Sequence, residues 1–259
     1  NTNAALVNKA IAQKLKKHSV SVASSLDGLQ KGNDKVRQTA SGKGTFSTIV
    51  KGFEILKKEG CPLDGFAITI NEQNFSFIDE MIIDWAAERS MQEVRIDIDV
   101  VGMVDIPIKE ITSKLMRLRE YAKTKSIIVT GFWERPAENL NESVLETSVG
   151  FCGGNRGNSL CVNPSGQIYS CGYSAFPLGN LTNIESLFAT DKPYALFVQN
   201  HFPGSIPQCF GCSIESQCVG GCEITREFAS LNKLSKTDKM CALYRRMTEE
   251  LLLENLNEL

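Results

Sequence analysis

Cysteines are the residues of this 259-residue chain with the clearest capacity for chemistry: it has nine, and eight of them fall in its last 108 residues. Cys209 and Cys212 form a Cys-x2-Cys pair, a spacing that lets two thiolates on a turn reach one metal ion or cluster. Four thiolates satisfy either tetrahedral zinc or an iron–sulfur cluster, so eight would serve two sites. The candidate ligands are Cys152, Cys161, Cys171, Cys209, Cys212, Cys218, Cys222 and Cys241.

Disulfide bonds and free thiols are the alternatives to metal binding. The N-terminal segment has no apolar core of a secretory signal, which favours a reducing cytoplasm, where clustered cysteines bind metals more often than they pair. Glycines are frequent among the cysteines, and glycine lets backbone N–H groups approach an anionic sulfur closely. The spacing by itself leaves zinc and iron–sulfur both open.

The order of these cysteines resembles a family signature: Cys, nine to fifteen residues, Gly, four residues, Cys, then Cys-x2-Cys-x5-Cys-x3-Cys and a last Cys. Cys152, Gly166 and Cys171 match its first part. The second part is matched in order by Cys209, Cys212, Cys218, Cys222 and Cys241. The signature is that of the SPASM domain of radical S-adenosylmethionine (SAM) enzymes.

The resemblance implies two auxiliary [4Fe-4S] clusters. One would be held by Cys152, Cys171 and Cys222, with Cys161 as the candidate fourth ligand. The other would be held by the remaining cysteines of the signature, Cys209, Cys212, Cys218 and Cys241. Cys161 lies outside the signature, so a small buried hydrophobic residue in a strand is the alternative for it.

Upstream of the cysteines, strand and helix patterns alternate. Strands are predicted at 20–25, 65–71, 94–98 and 126–130, and helices at 4–17, 45–59, 78–86 and 108–118. Such alternation is typical of right-handed βαβ units with a parallel sheet. The pattern stops near Pro136, so we predict one domain at 1–145 and a second at 146–259, which ends in a helix from residue 241.

The first domain resembles the later part of a radical SAM barrel. Val22–Gly28 is similar to that family's Ser-x-Asp-Gly segment, and 33–46 is similar to its His-Asp-x-x-Arg and Gly-x-Gly-x-Phe stretch, with Asn33 in place of the histidine. The fold class implied is α/β: an incomplete radical SAM (β/α) partial barrel followed by a small cysteine-rich SPASM domain.

Parallel barrels carry their chemistry at the C-terminal ends of the strands. Ser25, Asp27 and Asn71 are predicted at such ends, and the resemblance makes them candidates to bind SAM. Arg37 is the candidate partner of the SAM carboxylate, because a planar guanidinium matches a carboxylate. The alternatives are turn or cap residues for the first three and a surface ion pair for Arg37.

Radical SAM enzymes hold their catalytic cluster with Cys-x3-Cys-x2-Cys, a triplet that this sequence lacks. We therefore expect an N-terminally truncated portion, inactive alone, of a longer enzyme that uses SAM and a third [4Fe-4S] cluster. The resemblance implies an oxidoreductase in which a 5′-deoxyadenosyl radical abstracts hydrogen to modify or crosslink a peptide or protein. It also implies an electron donor as partner, and it assigns no catalytic residue. The alternative function is a non-enzymatic iron–sulfur or zinc module that binds a peptide partner.

Composition narrows the remaining partner classes. The formal net charge is −2, from 28 Lys+Arg against 30 Asp+Glu, which argues against a nucleic-acid partner. No uninterrupted apolar run approaches the roughly 18 residues of a membrane-spanning helix, so we predict no membrane partner and a cytoplasmic location.

Overall fold

A computed structural model describes residues 1–100, 105–141, 150–232 and 237–257 of the chain. These residues form two compact units, 1–131 and 132–259. The predicted domain boundary at 145/146 lies outside the described residues. Within the described part, no helix combines the length and the apolar character that crossing a membrane requires.

Unit 1, residues 1–131, is a parallel α/β unit. Its strands are β1 (Ser24–Ser25), β2 (Gly65–Ile70), β3 (Glu93–Ile98) and β4 (Ile128–Thr130). Its helices are α1 (Lys9–Lys17), α2 (Gln30–Val36), α3 (Phe46–Lys58), α4 (Met81–Ala87) and α5 (Ile108–Lys123). The strands pair in parallel in the order β1-β2-β3-β4, as successive βα units of a partial barrel do. The predicted parallel α/β architecture is confirmed.

The two faces of this sheet differ in polarity. One face is apolar and buried, with Phe66, Ile68 and Ile70 of β2 beside the corresponding residues of β3. It packs with the apolar helix faces that the sequence periodicity predicts. The other face carries polar side chains in register, among them Arg95 beside Thr130 and Asp97 beside Thr69.

Two local elements differ from the prediction. Helix α1 begins at Lys9 rather than residue 4, because Ala4 has a left-handed φ of 56° and Asn8 caps the helix by accepting the Ile11 N–H at 3.0 Å. Helix α2 forms in a polar segment between the strand predicted at 20–25 and the helix predicted at 45–59. Its Asn33 is fully buried, and the Asn33 side chain accepts the Asp27 N–H at 3.2 Å, so tertiary contacts support a helix of weak intrinsic propensity.

Unit 2, residues 132–259, is built from short elements. Strands β5 (Cys161–Val162), β6 (Gln167–Tyr169) and β7 (Gly179–Asn180) form an antiparallel sheet. The helices are α6 (Arg135–Asn141), α7 (Ile184–Leu187), α8 (Pro193–Gln199), α9 (Glu215–Cys218), α10 (Glu223–Asn232) and α11 (Thr237–Asn257). Its buried apolar residues include two small separate clusters, one around Ile168 and one around Ile206.

Helix α11 supplies the main apolar face of unit 2. Met240, Tyr244, Met247 and Leu251 are buried along it at helical spacing, and the Tyr244 ring lies 4.8 Å from the ring of Phe151. The helix predicted from residue 241 therefore exists and begins four residues earlier. It also carries Cys241 next to this packed face.

Candidate functional sites

Three cysteines of unit 2 surround the buried thiol of Cys218. Burial and, to a smaller extent, the neighbouring thiols of Cys241, Cys209 and Cys212 together raise the pKa of Cys218 to about 12. These thiols come from the turn before α9, from α9 itself and from α11. The structure thus brings together the four residues that the resemblance assigns to one cluster.

A second group of thiols gathers around Cys222. Burial raises the pKa of Cys222, and the thiols of Cys152 and Cys171 raise it further. The fourth candidate, Cys161, lies on β5 beside the same segment: a Cβ added to Gly172 would be 3.4 Å from its sulfur. Cys161 is half-buried, so its place next to Cys171 is compatible with both of its predicted roles.

The thiols of each group face one another without converging on a point. Among the described residues, no three His, Cys, Asp or Glu side chains are placed to hold a single metal ion. Mutual effects on the thiol pKa values nevertheless define the two groups. The thiols of each group are therefore close enough to affect one another's pKa values, but they are not arranged as the ligands of one ion.

Backbone N–H groups point at three of these sulfurs. The N–H of Gly220 favours the thiolate of Cys209, and that of Gly221 favours the thiolate of Cys218. Cys222 precedes α10, whose first-turn N–H groups at Ile224 and Thr225 favour its thiolate. Such donors are the support that thiolates carrying net negative charge need in an iron–sulfur site.

Two glycines have no room for a side chain beside the thiols. A Cβ on Gly154 would lie 2.7 Å from the carbonyl oxygen of Ser170 and 3.7 Å from the sulfur of Cys152. A Cβ on Gly221, whose φ is +71°, would lie 2.7 Å from Tyr244 Cε2. A carbonyl oxygen and a tyrosine ring, rather than the sulfurs, therefore exclude a side chain at these two positions.

The carboxyl edge of the unit 1 sheet gathers two of the predicted SAM-binding residues. Ser25 is the half-buried last residue of β1, and Asn71 directly follows β2. Asp99 directly follows β3, and its N–H donates to the carbonyl oxygen of Ile70 at 2.9 Å. The side-chain Oδ1 of Asn71 accepts the Gln73 N–H at 2.9 Å, which makes Asn71 the start of a local turn as well.

Asp27 and Arg37, the other two predicted residues, form one ion pair. Asp27 is 4% exposed; its Oδ2 accepts from Arg37 Nε at 2.7 Å, and its Oδ1 accepts the Thr69 N–H at 2.9 Å. Both carboxylate oxygens are therefore occupied within the protein. The Arg37 side chain remains 27% exposed, so its terminal nitrogens are the accessible part of the pair.

A buried charged cluster in unit 2 was missed by the sequence analysis, which assigned no role to His201. His201 Nε2 lies 2.9 Å from Glu223 Oε2 and 2.6 Å from Arg226 Nη2. Glu223 and Arg226 are themselves in contact. The sequence signal available was the i, i+3 spacing of Glu223 and Arg226 directly after Cys222.

Comparison with known proteins places this geometry in context. No protein-family model matches the chain. It is 26% identical over 257 residues, 97% of its length, to the radical SAM cyclopropyl synthase TigE of Paramaledivibacter caminithermalis, of which it covers 52%. It is 24% identical over 238 residues, 89% of its length, to the mycofactocin maturase MftC of Mycolicibacterium smegmatis, of which it covers 59%. The chain thus spans about half the length of these curated relatives.

Solved structures share the fold. The structure of anSMEcpe with bound AdoMet and a Cp18Cys peptide matches with a TM-score of 0.67 at 18% identity, over 99% of this chain and 75% of that one. SuiB of Streptococcus suis bound to S-adenosylmethionine matches with a TM-score of 0.63 at 16% identity, over 91% of this chain and 56% of that one. The chain is therefore a homologue of radical SAM enzymes along most of its length, and the α/β fold predicted from the resemblance is confirmed.

Proposed function

We propose that this chain is the later part of a radical SAM enzyme that modifies a peptide or protein, and that unit 2 binds two auxiliary [4Fe-4S] clusters. The observation that carries the proposal is the division of the signature cysteines into two groups, around Cys218 and around Cys222. The groups interleave in sequence, since Cys222 follows Cys218 by four positions but joins the other group. Spacing along the chain would not by itself separate them.

The cysteine signature and the backbone donors around the sulfurs favour clusters over zinc. The cysteines match the signature of a domain that holds [4Fe-4S] clusters through thiolates. The N–H donors on Cys209, Cys218 and Cys222 also match the need of a cluster for hydrogen bonds to sulfur.

Unit 1 would contribute part of the SAM site. In this proposal Arg37 binds the SAM carboxylate through its accessible nitrogens, and Asp27 orients it from the buried side. Ser25 and Asn71 lie at the same sheet edge, within the part of a parallel barrel where ligands bind. When bound together, SAM and a third [4Fe-4S] cluster supply a 5′-deoxyadenosyl radical for hydrogen abstraction.

The substrate class rests on the relatives. TigE is named a cyclopropyl synthase and MftC a maturase, and the anSMEcpe structure holds AdoMet together with a peptide. We therefore extend a peptide or protein substrate and an electron donor to this chain as part of the proposal. A reducing cytoplasm suits the assignment, because thiolates must stay unoxidised to bind iron.

Anaerobic reconstitution of the chain with iron and sulfide tests the cluster assignment. We expect about eight irons per chain, the content of two [4Fe-4S] clusters, with brown absorbance. Cys212→Ser and Cys152→Ser should each lose about half of the iron, and Cys161→Ser decides the role of that residue. Cys61→Ser is the matched control, because Cys61 lies in unit 1 and its thiol contacts the Ala12 carbonyl oxygen at 3.6 Å. Colourless protein that retains two zinc ions would overturn the assignment.

The enzymatic part is tested separately. The reading frame upstream should encode Cys-x3-Cys-x2-Cys within about a hundred residues, the missing part of such a domain. In protein that contains this segment, Arg37→Ala should weaken SAM binding in equilibrium dialysis, whereas Arg117→Ala on the exposed surface of α5 should not. An upstream frame without the triplet would refute radical SAM catalysis by this protein.

A further inference from the structure

The charged cluster of His201, Glu223 and Arg226 lies inside unit 2. His201 is 3% exposed, and its Nδ1 lies 2.6 Å from the carbonyl oxygen of Phe197, so Nδ1 carries a proton and donates. On its other side, Nε2 faces both Glu223 and Arg226. Glu223 Oε2 also accepts a hydrogen bond from Arg226 Nη2, so the carboxylate is paired with a permanent cation. Glu223 is therefore an anion that fixes the arginine in place.

The guanidinium of Arg226 lies against the backbone of Gly220, in the segment between Cys218 and Cys222. A Cβ on Gly220 would lie 2.7 Å from Arg226 Nη1 and 3.1 Å from its Cζ. The N–H of the same Gly220 favours the thiolate of Cys209. The Gly220 backbone therefore lies between the arginine and the sulfur, and it has no side chain to separate them.

Two further observations point the same way. The Gly220 backbone contact fixes the position of the guanidinium beside the segment that joins Cys218 and Cys222. Arg226 Nε is buried and has no hydrogen-bond partner among the described residues. A buried donor without a partner costs about 1–3 kcal/mol, and an anionic group held by the neighbouring cysteines would offset that cost.

We propose that Arg226, held in place by Glu223 and His201, tunes the reduction potential of the cluster bound by Cys209, Cys212, Cys218 and Cys241. Reduction adds one electron to the cluster, with no bond made or broken, and increases its negative charge by one. A fixed positive charge beside Cys209 stabilises the reduced cluster more than the oxidised one and raises its potential. The inference rests on the proposed function, because it requires a cluster at this site.

An EPR-monitored redox titration with dithionite tests it on the reconstituted 259-residue chain. The two clusters give two components, and the component that Cys212→Ala abolishes belongs to the Cys209 group. Arg226→Gln should make this component about tenfold harder to reduce, a downward shift of about 59 mV for a one-electron couple. The other component should not move and serves as an internal reference.

Two variants distinguish loss of the Arg226 charge from a general disturbance of the structure. Arg226→Lys keeps the charge and should restore most of the potential. Arg246→Gln removes an arginine that is half-exposed on α11 and paired with Glu249, so it should leave both components unchanged. An unchanged potential in Arg226→Gln at full iron content overturns this inference and leaves the proposed function intact.

A folding or loading defect in Arg226→Gln would not end the test. Glu223→Gln keeps the arginine and removes its negative partner, so the potential of the same component should rise. If that component does not move either, the inference is overturned. If wild-type chain takes up no cluster, the proposed function itself fails, and this outcome differs visibly from the others.

Discussion

Replacing Asp27 by asparagine tests the polar link between β1, β2 and Arg37. In the native protein, the Asp27 carboxylate accepts the Thr69 N–H at 2.9 Å and the Arg37 Nε–H at 2.7 Å. Asparagine keeps the size of the side chain and an oxygen that can accept the Thr69 N–H, but it places a neutral amide against Arg37. A hydrogen bond to a charged group contributes about 1.5–3 kcal/mol. Because Arg37 is 27% exposed, water replaces part of this, and we expect a loss of about 1–2 kcal/mol in the free energy of unfolding.

Urea unfolding measures this loss in unit 1. Trp85 lies in unit 1 and Trp133 in unit 2, so a Trp133→Phe background makes Trp85 fluorescence report unit 1. With a slope of about 1–3 kcal/mol per molar urea, the midpoint should fall by about 0.3–2 M. The control is Glu80→Gln, which breaks an Arg117 ion pair of similar length at the surface and should cost less than about 0.5 kcal/mol. Equal losses in both variants would refute the argument from burial.

Two further substitutions test the left-handed backbone at Gly221 and the ion pair of Asp84 with Lys125. Gly221→Ala adds a Cβ 2.7 Å from Tyr244 at a left-handed φ, so it should lower the free energy of unfolding of unit 2 by about 2–4 kcal/mol. The control is Gly211→Ala, which is also left-handed but has open space around it and should cost only about 1 kcal/mol. Thermal unfolding measures both losses. The hydrogen bond with Lys125 lowers the pKa of Asp84 from its ordinary value of 3.8. The Asp84 carboxylate therefore stabilises the folded state at pH values above its pKa in the unfolded chain, and this stabilisation is lost as the pH falls through its lower pKa in the folded state. The stability difference between wild type and Asp84→Asn should therefore shrink from about pH 6 to about pH 3; a difference that is constant over this range would contradict the assignment.

The sheet of unit 1 could be predicted because its strands are short apolar runs with a clear period. In β2 and β3, one buried apolar residue alternates with one that is half-buried or exposed, and the pattern identifies both the strand and its buried face. Parallel pairing followed from the helices between the strands. The grouping of the thiols came from the resemblance, because sequence distance would place Cys222 with Cys218 rather than with Cys152.

Elements that depend on distant partners could not be predicted. Helix α2 is polar, and its support is the buried Asn33 side chain bonded to Asp27, a contact that no local pattern encodes. His201 and Glu223 are 22 positions apart, so their hydrogen bond was invisible as well. The engagement of both Asp27 oxygens likewise depends on Thr69, which lies 42 residues away on the next strand.

The segment between Cys218 and Cys222 joins the two thiol groups. Val219, Gly220 and Gly221 have φ values of +45°, +78° and +71°. Glycine accepts this conformation, but a β-branched valine does so at a cost of order 1–3 kcal/mol. The N–H groups of Gly220 and Gly221 favour the thiolates of one group, and Cys222, directly after them, belongs to the other. Under the proposed cluster assignment, bonds from the thiolates to iron offset both this strain and the cost of deprotonating buried thiols, so cluster loading and ordering of this turn should occur together.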